Sequence, residues 1–189
     1  MKKNQIRSSM SNFTTREDSG QPVIEGYFAV FNTNYNIGSM MSESIAPGAF
    51  TKSLSNDIRA LINHDTTLVL GRTAAHTLEL HEDSYGLFGK ITINPKDSDA
   101  MNLYERVKRG DVDQCSFGFN LISEKTDRRD DGGIHWTLTE CDLHEVTVCT
   151  FPAYEETSVS ARQRDFDEIK KRSAEKWRID MLKKLKGEL

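Results

Sequence analysis

A serine on the polar face of an alternating segment is the first candidate for chemistry in this chain of 189 residues. In residues 114–121 the odd-numbered positions are apolar, and Ser116 shares the even-numbered face with Gly118. A serine hydroxyl attacks a carbonyl group only when a nearby base takes its proton and a third group holds that base. Because glycine has no side chain, Gly118 leaves room for a substrate backbone to approach Ser116. The same alternation is also typical of a serine that simply faces solvent.

His64 is the strongest candidate for the base among the five histidines. It ends the largely apolar run of residues 60–63, so we expect it at a strand end, where a cleft can begin. The adjacent Asp65 is a poor partner for it, because the side chains of consecutive strand residues diverge. Of the other histidines, three lie in or beside alternating segments and one follows a glycine-rich turn, which favours packing or exposure: His76, His81, His144 and His135.

An acidic residue on a strand of β-branched residues supplies the third candidate. In residues 143–150, Glu145 lies on the face opposite two valines. A glutamate in such a strand is unfavourable unless it is exposed or paired, so pairing with His64 and plain exposure both explain it. The three residue types permit a serine hydrolase without establishing one.

Short β-branched and aromatic segments, separated by turn residues, predict a strand-rich fold of the α+β class. We expect a barrel-like core of about seven strands, with a hairpin turn at residues 127–133. Two inserted helices are predicted, one opening at residues 47–54 and one running from Ser98 to a stop at Gly110.

Composition divides the chain into three parts. Residues 1–21 are polar and are expected to be a flexible N-terminal arm with at most one short strand, and residues 22–160 form the core domain. Residues 161–189 are predicted to be a charged, amphipathic helical tail, in which Trp177, Met181 and Leu185 recur every four positions.

Charge and cysteine content exclude several classes of function. Lys and Arg number 25 against 29 Asp and Glu, a formal net charge of -4, which does not suit general nucleic-acid binding. No apolar run approaches the roughly 20 residues of a membrane-spanning helix. The three cysteines are too irregular for a disulfide framework, and Cys141 with His144 has the spacing of only half a zinc site. We therefore expect no cofactor, no metal, no nucleic acid and no membrane partner.

Six short blocks follow one another along residues 22–156: GYFAVFN (26–32), IAPGAF (45–50), LINHD (61–65), LGRT (70–73), SFGF (116–119) and EVTVCTFPAY (145–154). In this order they resemble the tailed-phage prohead (capsid maturation) protease family. That family is related in fold to the herpesvirus assemblins, serine proteases that process capsid scaffold. The resemblance therefore implies an assemblin-like catalytic domain over residues 22–160.

The resemblance also implies a role for each matching residue. Ser116 is the expected nucleophile, His64 the general base and acid, and Glu145 stands where assemblins use a second histidine. A carboxylate there would orient the imidazole and stabilise its protonated form. Glu140 and Asp142 remain alternatives to Glu145, because strand register is not visible in a sequence.

An oxyanion hole is implied by the same resemblance, from backbone N–H groups just beyond the strand that carries Glu145. The matching place is Ala153 and Tyr154, since Pro152 has no N–H to donate.

The resemblance finally implies substrate and partners. Such enzymes work in the host cytoplasm inside the immature prohead, where they cleave the scaffolding segment of the major capsid protein and then themselves. Assemblins dimerise to become active, so we expect a homodimer or larger assembly, with the portal protein as a further possible partner. The tail, residues 161–189, either recruits the protease to scaffold or capsid protein, or packs on its own domain or on a second copy of the chain. The alternative is a catalytically silent scaffold or assembly protein on the same fold.

Overall fold

The computed structural model describes residues 5–11, 13–18, 20–151 and 156–185, which form eleven strands and two α-helices. The strands are β1 (Gln5–Met10), β2 (Thr14–Asp18), β3 (Gln21–Val30), β4 (Tyr35–Gly38), β5 (Met41–Ile45), β6 (Arg59–Ile62), β7 (Asp65–Arg72), β8 (Leu78–Glu82), β9 (Gly86–Thr92), β10 (Gln114–Arg128) and β11 (Ile134–Cys149). The helices are α1 (Ser98–Arg109) and α2 (Glu156–Leu185), and a short 3-10 turn covers Thr73–Ala75.

Two open sheets make up the α+β fold, and the expected barrel-like core does not close into a barrel in the part of the chain that the structure describes. The larger sheet has the order β1-β10-β11-β5-β4, with β6 and β7 attached beside β11, and the smaller has the order β2-β3-β9-β8. One edge of β11 pairs with β10. On the other edge, β5 pairs with the first residues of β11 and β6 pairs with the last ones, and both strands run parallel to β11. Neither branch continues into the smaller sheet, so both sheets keep free edges.

The sequence pattern predicts three strands over residues 114–123, 133–139 and 143–150, but the structure forms one long hairpin of β10 and β11 instead. Its turn lies within residues 127–133, as expected, but β11 runs unbroken for 16 residues. Register shifts near Gly118, Leu121 and Ser123 bend the hairpin, so that its two halves serve different neighbours.

A single large core lies between the two sheets and is rich in aromatic rings. The rings of Phe50 and Phe117 pack edge-to-face with 5.3 Å between their centroids, and the rings of Phe13 and Phe28 pack in the same way with 5.4 Å between theirs. Phe28, Phe50 and Phe117 have at most 1% of their surface exposed. Each such ring contributes roughly 1.5–3 kcal/mol of burial free energy, which fixes β10 from its apolar side.

Helix α1 begins and ends as the sequence predicts, but the predicted helix at residues 47–54 is absent. Asp97 caps α1 by accepting the backbone N–H groups of residues 99 and 100, and Gly110 ends it with φ +84°. Residues 47–54 instead form consecutive turns. Gly48 has φ +84°, a left-handed conformation that interrupts a right-handed helix just after it starts.

Residues 1–21, expected to be a flexible arm, contain two strands. β1 pairs antiparallel with β10 along residues 5–10, and β2 pairs antiparallel with β3. The pairing arises because an exposed sheet edge offers unpaired N–H and C=O groups to any extended segment. The boundaries of the three parts stay a prediction, and α2 runs across the expected limit between residues 160 and 161.

The first half of α2 packs on the larger sheet around a buried ion cluster. Phe166 and Ile169 contact a small apolar group on β5 and β11, and the guanidinium of Arg162 lies 4.8 Å from the ring centroid of Trp136. Arg162 donates to Glu43 at 2.7 Å, and Arg7 of β1 donates to the same carboxylate. Glu43 has 1% of its surface exposed, so one buried charge ties both ends of the described chain to the sheet.

Acid should weaken this cluster before it affects the apolar core. Burial raises the pKa of Glu43, but the hydrogen bonds and charges of Arg7 and Arg162 outweigh it and leave the pKa below its ordinary value of 4.5. The stabilisation is therefore complete above about pH 4.5 and is lost as the pH falls through the native pKa.

The Glu43→Gln variant tests this by denaturant unfolding at several pH values. At pH 7 we expect a loss on the order of 3 kcal/mol, because the buried guanidinium groups lose their counter-charge. Between pH 5 and 3 the variant should lose less additional stability than the wild-type protein. Equal losses over that range would show that Glu43 carries no such charge.

Candidate active site

His64 is presented by a two-residue hairpin turn between β6 and β7. Asn63 and His64 have φ values of +49° and +61°, the left-handed pair that closes a tight hairpin but is unfavourable for residues other than glycine. The end of β11 holds this strained turn in place. Asn63 donates its N–H to the carbonyl of Val148 at 3.1 Å, and its side-chain oxygen accepts the N–H of Thr150 at 3.0 Å.

Glu145 holds one nitrogen of His64 and leaves the other available. His64 Nδ1 lies 2.7 Å from Glu145 Oε1, and Thr147 donates its hydroxyl to Glu145 Oε2 at 2.5 Å. Because a carboxylate can only accept, Nδ1 carries the hydrogen and a neutral ring keeps its lone pair on Nε2. That Nε2 is buried and has no hydrogen-bond partner in the described part of the chain. It is free to accept a proton.

Ser116 lies on the same face of the sheet as this pair. The register of β10 against β11 sets Ser116 opposite Thr147 and Gly118 opposite Glu145. Gly118 is needed there, because a Cβ at this position would lie 2.5 Å from Glu145 Oε1. The structure therefore brings the predicted serine, histidine and glutamate to one region, and their catalytic roles remain a prediction.

Ser116 lies on the face of β10 opposite to Phe117 and Phe119, as the alternation predicts, and the alternative of a solvent-facing serine does not hold. Ser116 has no exposed surface, and its hydroxyl donates to the carbonyl of Arg7 on β1 at 2.9 Å. The N-terminal strand β1 lies beside the serine, paired with the edge of β10. An extended substrate can pair with this edge of β10 only in place of β1.

The two alternative carboxylates lie away from His64. Glu140 pairs with Lys52 at 2.9 Å, and Asp142 accepts from Asn56 at 3.0 Å. Asp65, the sequence neighbour of His64, accepts the N–H and the hydroxyl of Thr67. Of the four carboxylates weighed for this role, only Glu145 contacts His64.

A second serine–histidine cluster lies elsewhere and was not predicted. The hydroxyls of Ser42 and Ser44 lie 2.8 Å from Nδ1 and Nε2 of His135. Both serines are buried, and no carboxylate contacts His135 within the described ranges. The parallel pairing of β5 with β11 creates this cluster, and alternation within one segment gives no signal for such a pairing.

Cysteine chemistry is disfavoured by burial. All three cysteines are buried, and none of them forms a disulfide within the described residues. Burial raises the pKa of Cys149, and likewise of Cys141, to about 12, so the nucleophilic thiolate is scarce near neutral pH. Within residues 5–11, 13–18, 20–151 and 156–185, no cluster of three or more His, Cys, Asp or Glu side chains could hold a metal.

The predicted oxyanion donors cannot be placed. Ala153 and Tyr154 lie outside the described residues, as does Pro152. Their role stays a prediction.

Comparison with known proteins decides the family. The model of the Caudovirus prohead serine protease family matches residues 10–172. The chain belongs to this family. It is 32% identical over 168 residues to the prohead protease of Enterobacteria phage HK97, which covers 86% of this chain and 70% of that protein.

A solved structure shows a similar fold. The bacteriophage T4 capsid assembly protease, gp21, matches with a TM-score of 0.53 over 79% of this chain and 98% of its own. At 10% identity this likeness supports the fold alone. Family membership makes the chain a prohead maturation protease of the serine class from a tailed phage. None of the described helices is long and apolar enough to span a membrane.

The Gly118→Ala variant tests whether the position of Glu145 matters. The added methyl group displaces the flexible end of Glu145 rather than the backbone, so the fold should persist while His64 loses its partner. We expect peptide cleavage to fall by about 10²-fold or more, with a small change in melting temperature. Full activity in Gly118→Ala would show that the observed position of Glu145 is not needed.

Proposed function

We propose that Ser116, His64 and Glu145 form the catalytic triad of this protease. The observation that carries the proposal is the state of His64, whose Nδ1 is held by Glu145 while its buried Nε2 has no partner in the described structure. A general base for serine needs this arrangement, with one nitrogen fixed and the other directed to the nucleophile.

The chemistry that follows is acyl transfer. Ser116 Oγ attacks the carbonyl carbon of the scissile bond, and its proton passes to His64 Nε2. The imidazolium is stabilised by Glu145 and donates that proton to the leaving amine as the C–N bond breaks. A water molecule, activated by the same nitrogen, then hydrolyses the acyl-enzyme. The developing oxyanion would be held by backbone N–H groups, for which Ala153 and Tyr154 are the proposed donors.

The position of β1 makes the observed arrangement a resting state. The hydroxyl hydrogen of Ser116 is directed to the carbonyl of Arg7. When β1 leaves β10, that hydrogen is released and the edge of β10 becomes available to an extended peptide. The same movement therefore breaks the hydrogen bond from Ser116 to Arg7 and opens the edge of β10 to a substrate.

The proposed substrates are the scaffolding segment of the major capsid protein and the protease chain itself. Their support is family membership, since the relatives are described as prohead and capsid assembly proteases. Self-association, contact with the portal protein and action inside the immature prohead belong to the same proposal. The competing proposal, a catalytically silent assembly protein, requires that loss of Ser116 leave processing unchanged.

Intact-mass measurement over time separates these proposals. Wild-type protein at high concentration, alone and co-expressed with its capsid protein, should produce discrete fragments. Ser116→Ala should remain intact in both conditions, whereas Ser42→Ala and Ser44→Ala, from the cluster around His135, should process like wild type.

Two results would contradict the triad. Processing that continues in Ser116→Ala would show that Ser116 is not the nucleophile. Unchanged masses of the wild-type protein, even with capsid protein present, would favour the silent assembly protein. Loss of processing in Ser42→Ala or Ser44→Ala alone would move the nucleophile to the other cluster.

The second half of α2 is the proposed docking element for capsid scaffold. Past Ser173, which contacts Arg128, the described helix exposes several large apolar side chains. Trp177 is 65% exposed and Leu185 is 80% exposed, a pattern that a helix packed on its own domain would not show. The exposed apolar side chains in this half of α2 are Trp177, Ile179, Met181, Leu182 and Leu185.

The Trp177→Glu variant tests this docking. We expect unchanged cleavage of peptides, because α2 is fixed to the sheet through Arg162 and Phe166 instead, and a several-fold loss of protease packaged into proheads. Ile122→Glu, an exposed apolar position on β10, is the control and should be packaged normally. Normal packaging of Trp177→Glu, or equal loss in the control, would contradict the docking role.

A further inference from the structure

The N-terminal strand lies on β10 as a bound peptide would. β1 runs antiparallel to β10, with Arg7 opposite Phe117 and Ser8 opposite Ser116. The carbonyl that accepts the Ser116 hydroxyl hydrogen is that of Arg7. A substrate strand in the same register would offer the nucleophile the carbonyl of the residue that takes the place of Arg7.

The side chain of Arg7 enters a built site on the opposite face of the sheet. Its guanidinium lies 5.5 Å from the ring centroid of Phe119 and donates to Glu43, with Nη2 to Oε2 at 2.9 Å. The same guanidinium also donates to the carbonyl of Ile6 and to the side chain of Gln5. The last two contacts are formed within β1 itself. The residues of the remaining domain that contact the Arg7 side chain are therefore Glu43 and Phe119.

The charges around this site require a cation. Glu43 and Glu124 both bind Arg162, which gives two carboxylates for one guanidinium beneath α2. Asp165, which also contacts Arg162, is largely exposed. When β1 leaves, nearly inaccessible Glu43 loses the guanidinium of Arg7 and shares that of Arg162 with Glu124, so one negative charge is left without a matching cation. A lysine or arginine side chain from another peptide is the group that replaces it at least cost.

We propose that Glu43 is a specificity-determining residue, which selects substrates with arginine or lysine immediately before the scissile bond. The proposal rests on the proposed function, in which Ser116 is the nucleophile. Arginine should be preferred over lysine, because its planar fork can engage both oxygens of the carboxylate. An acidic residue in this place would meet Glu43 directly and should be rejected.

A matched peptide set tests the preference with the full-length wild-type protein. The peptides carry residues 2–13 of this chain, unchanged or with Arg7→Lys, Arg7→Leu or Arg7→Glu, and cleavage after position 7 is followed by mass spectrometry. All peptides must displace β1 equally, so the ratios of kcat/KM between them report only how the residue at position 7 interacts with the site at Glu43. We expect the arginine and lysine peptides to be cut at least tenfold faster than the leucine and glutamate peptides.

The Glu43→Gln variant provides the second arm. The ratio of kcat/KM between the arginine and leucine peptides should fall at least tenfold in Glu43→Gln and stay unchanged in Glu140→Gln, which alters an exposed carboxylate paired with Lys52. If Glu43→Gln folds poorly, the ratios of kcat/KM measured with the wild-type protein still test the preference for a basic residue.

The outcomes separate the two proposals. Ser116-dependent cleavage without preference for a basic residue, or a preference that survives in Glu43→Gln, overturns the specificity role alone. Absence of any Ser116-dependent cleavage, together with absence of labelling by a fluorophosphonate serine probe, overturns the proposed triad and the specificity role with it.

Discussion

The antiparallel pairing of β10 with β11 is the constraint on which the functional geometry depends. Its register sets Ser116 beside Thr147 and Gly118 beside Glu145, so one strand supplies the serine and the other supplies the carboxylate. A shift by one residue would turn these side chains to the other face of the sheet, where the aromatic core lies. Burial of Phe117 and Phe119 therefore fixes the register and, with it, the distance from carboxylate to serine.

The same pairing explains how His64 reaches the site from another part of the chain. The final residues of β11 pair with β6, and the hairpin turn after β6 is bound to β11 through Asn63. The left-handed backbone at His64 is unfavourable by itself and persists because these contacts over-determine it. The strained backbone thus coincides with the residue that contacts Glu145.

Buried charge links the two ends of the chain to the sheet that carries the site. Glu43 accepts hydrogen bonds from Arg7 of β1, the strand paired beside Ser116, and from Arg162 of α2, the helix that carries the exposed apolar side chains. Such a cluster stabilises little compared with apolar packing, but it is specific, because loss of any member leaves another charge buried. The contact between Arg7 and Glu43 therefore holds β1 in a defined position on the sheet.

The sequence alone predicts those features that depend on local pattern. The limits of α1, the alternation around Ser116 and the position of His64 at a strand end follow from caps, turns and periodicity. The open sheets and the ion cluster at Glu43 do not, since they depend on pairings between strands far apart in sequence.

Local pattern also misleads in two places. Gly48 ends the expected helix at residues 47–54 through its left-handed backbone. Ser116 does not face solvent, and a distant segment, β1, pairs with the edge of its strand and accepts its hydroxyl hydrogen. Both differences arise from backbone geometry and pairing that side-chain periodicity does not contain.

The central claim, that Glu145 is the carboxylate of a serine–histidine–glutamate triad, is tested most directly by kcat/KM of Glu145→Gln against Glu140→Gln and Asp142→Asn. The amide keeps the shape of Glu145 but cannot stabilise the imidazolium, so a triad predicts a loss of about 10²–10⁴-fold for Glu145→Gln. The two controls should remain within about threefold of wild type, because their partners are Lys52 and Asn56. Wild-type activity in Glu145→Gln, or an equal loss in either control, would contradict the triad.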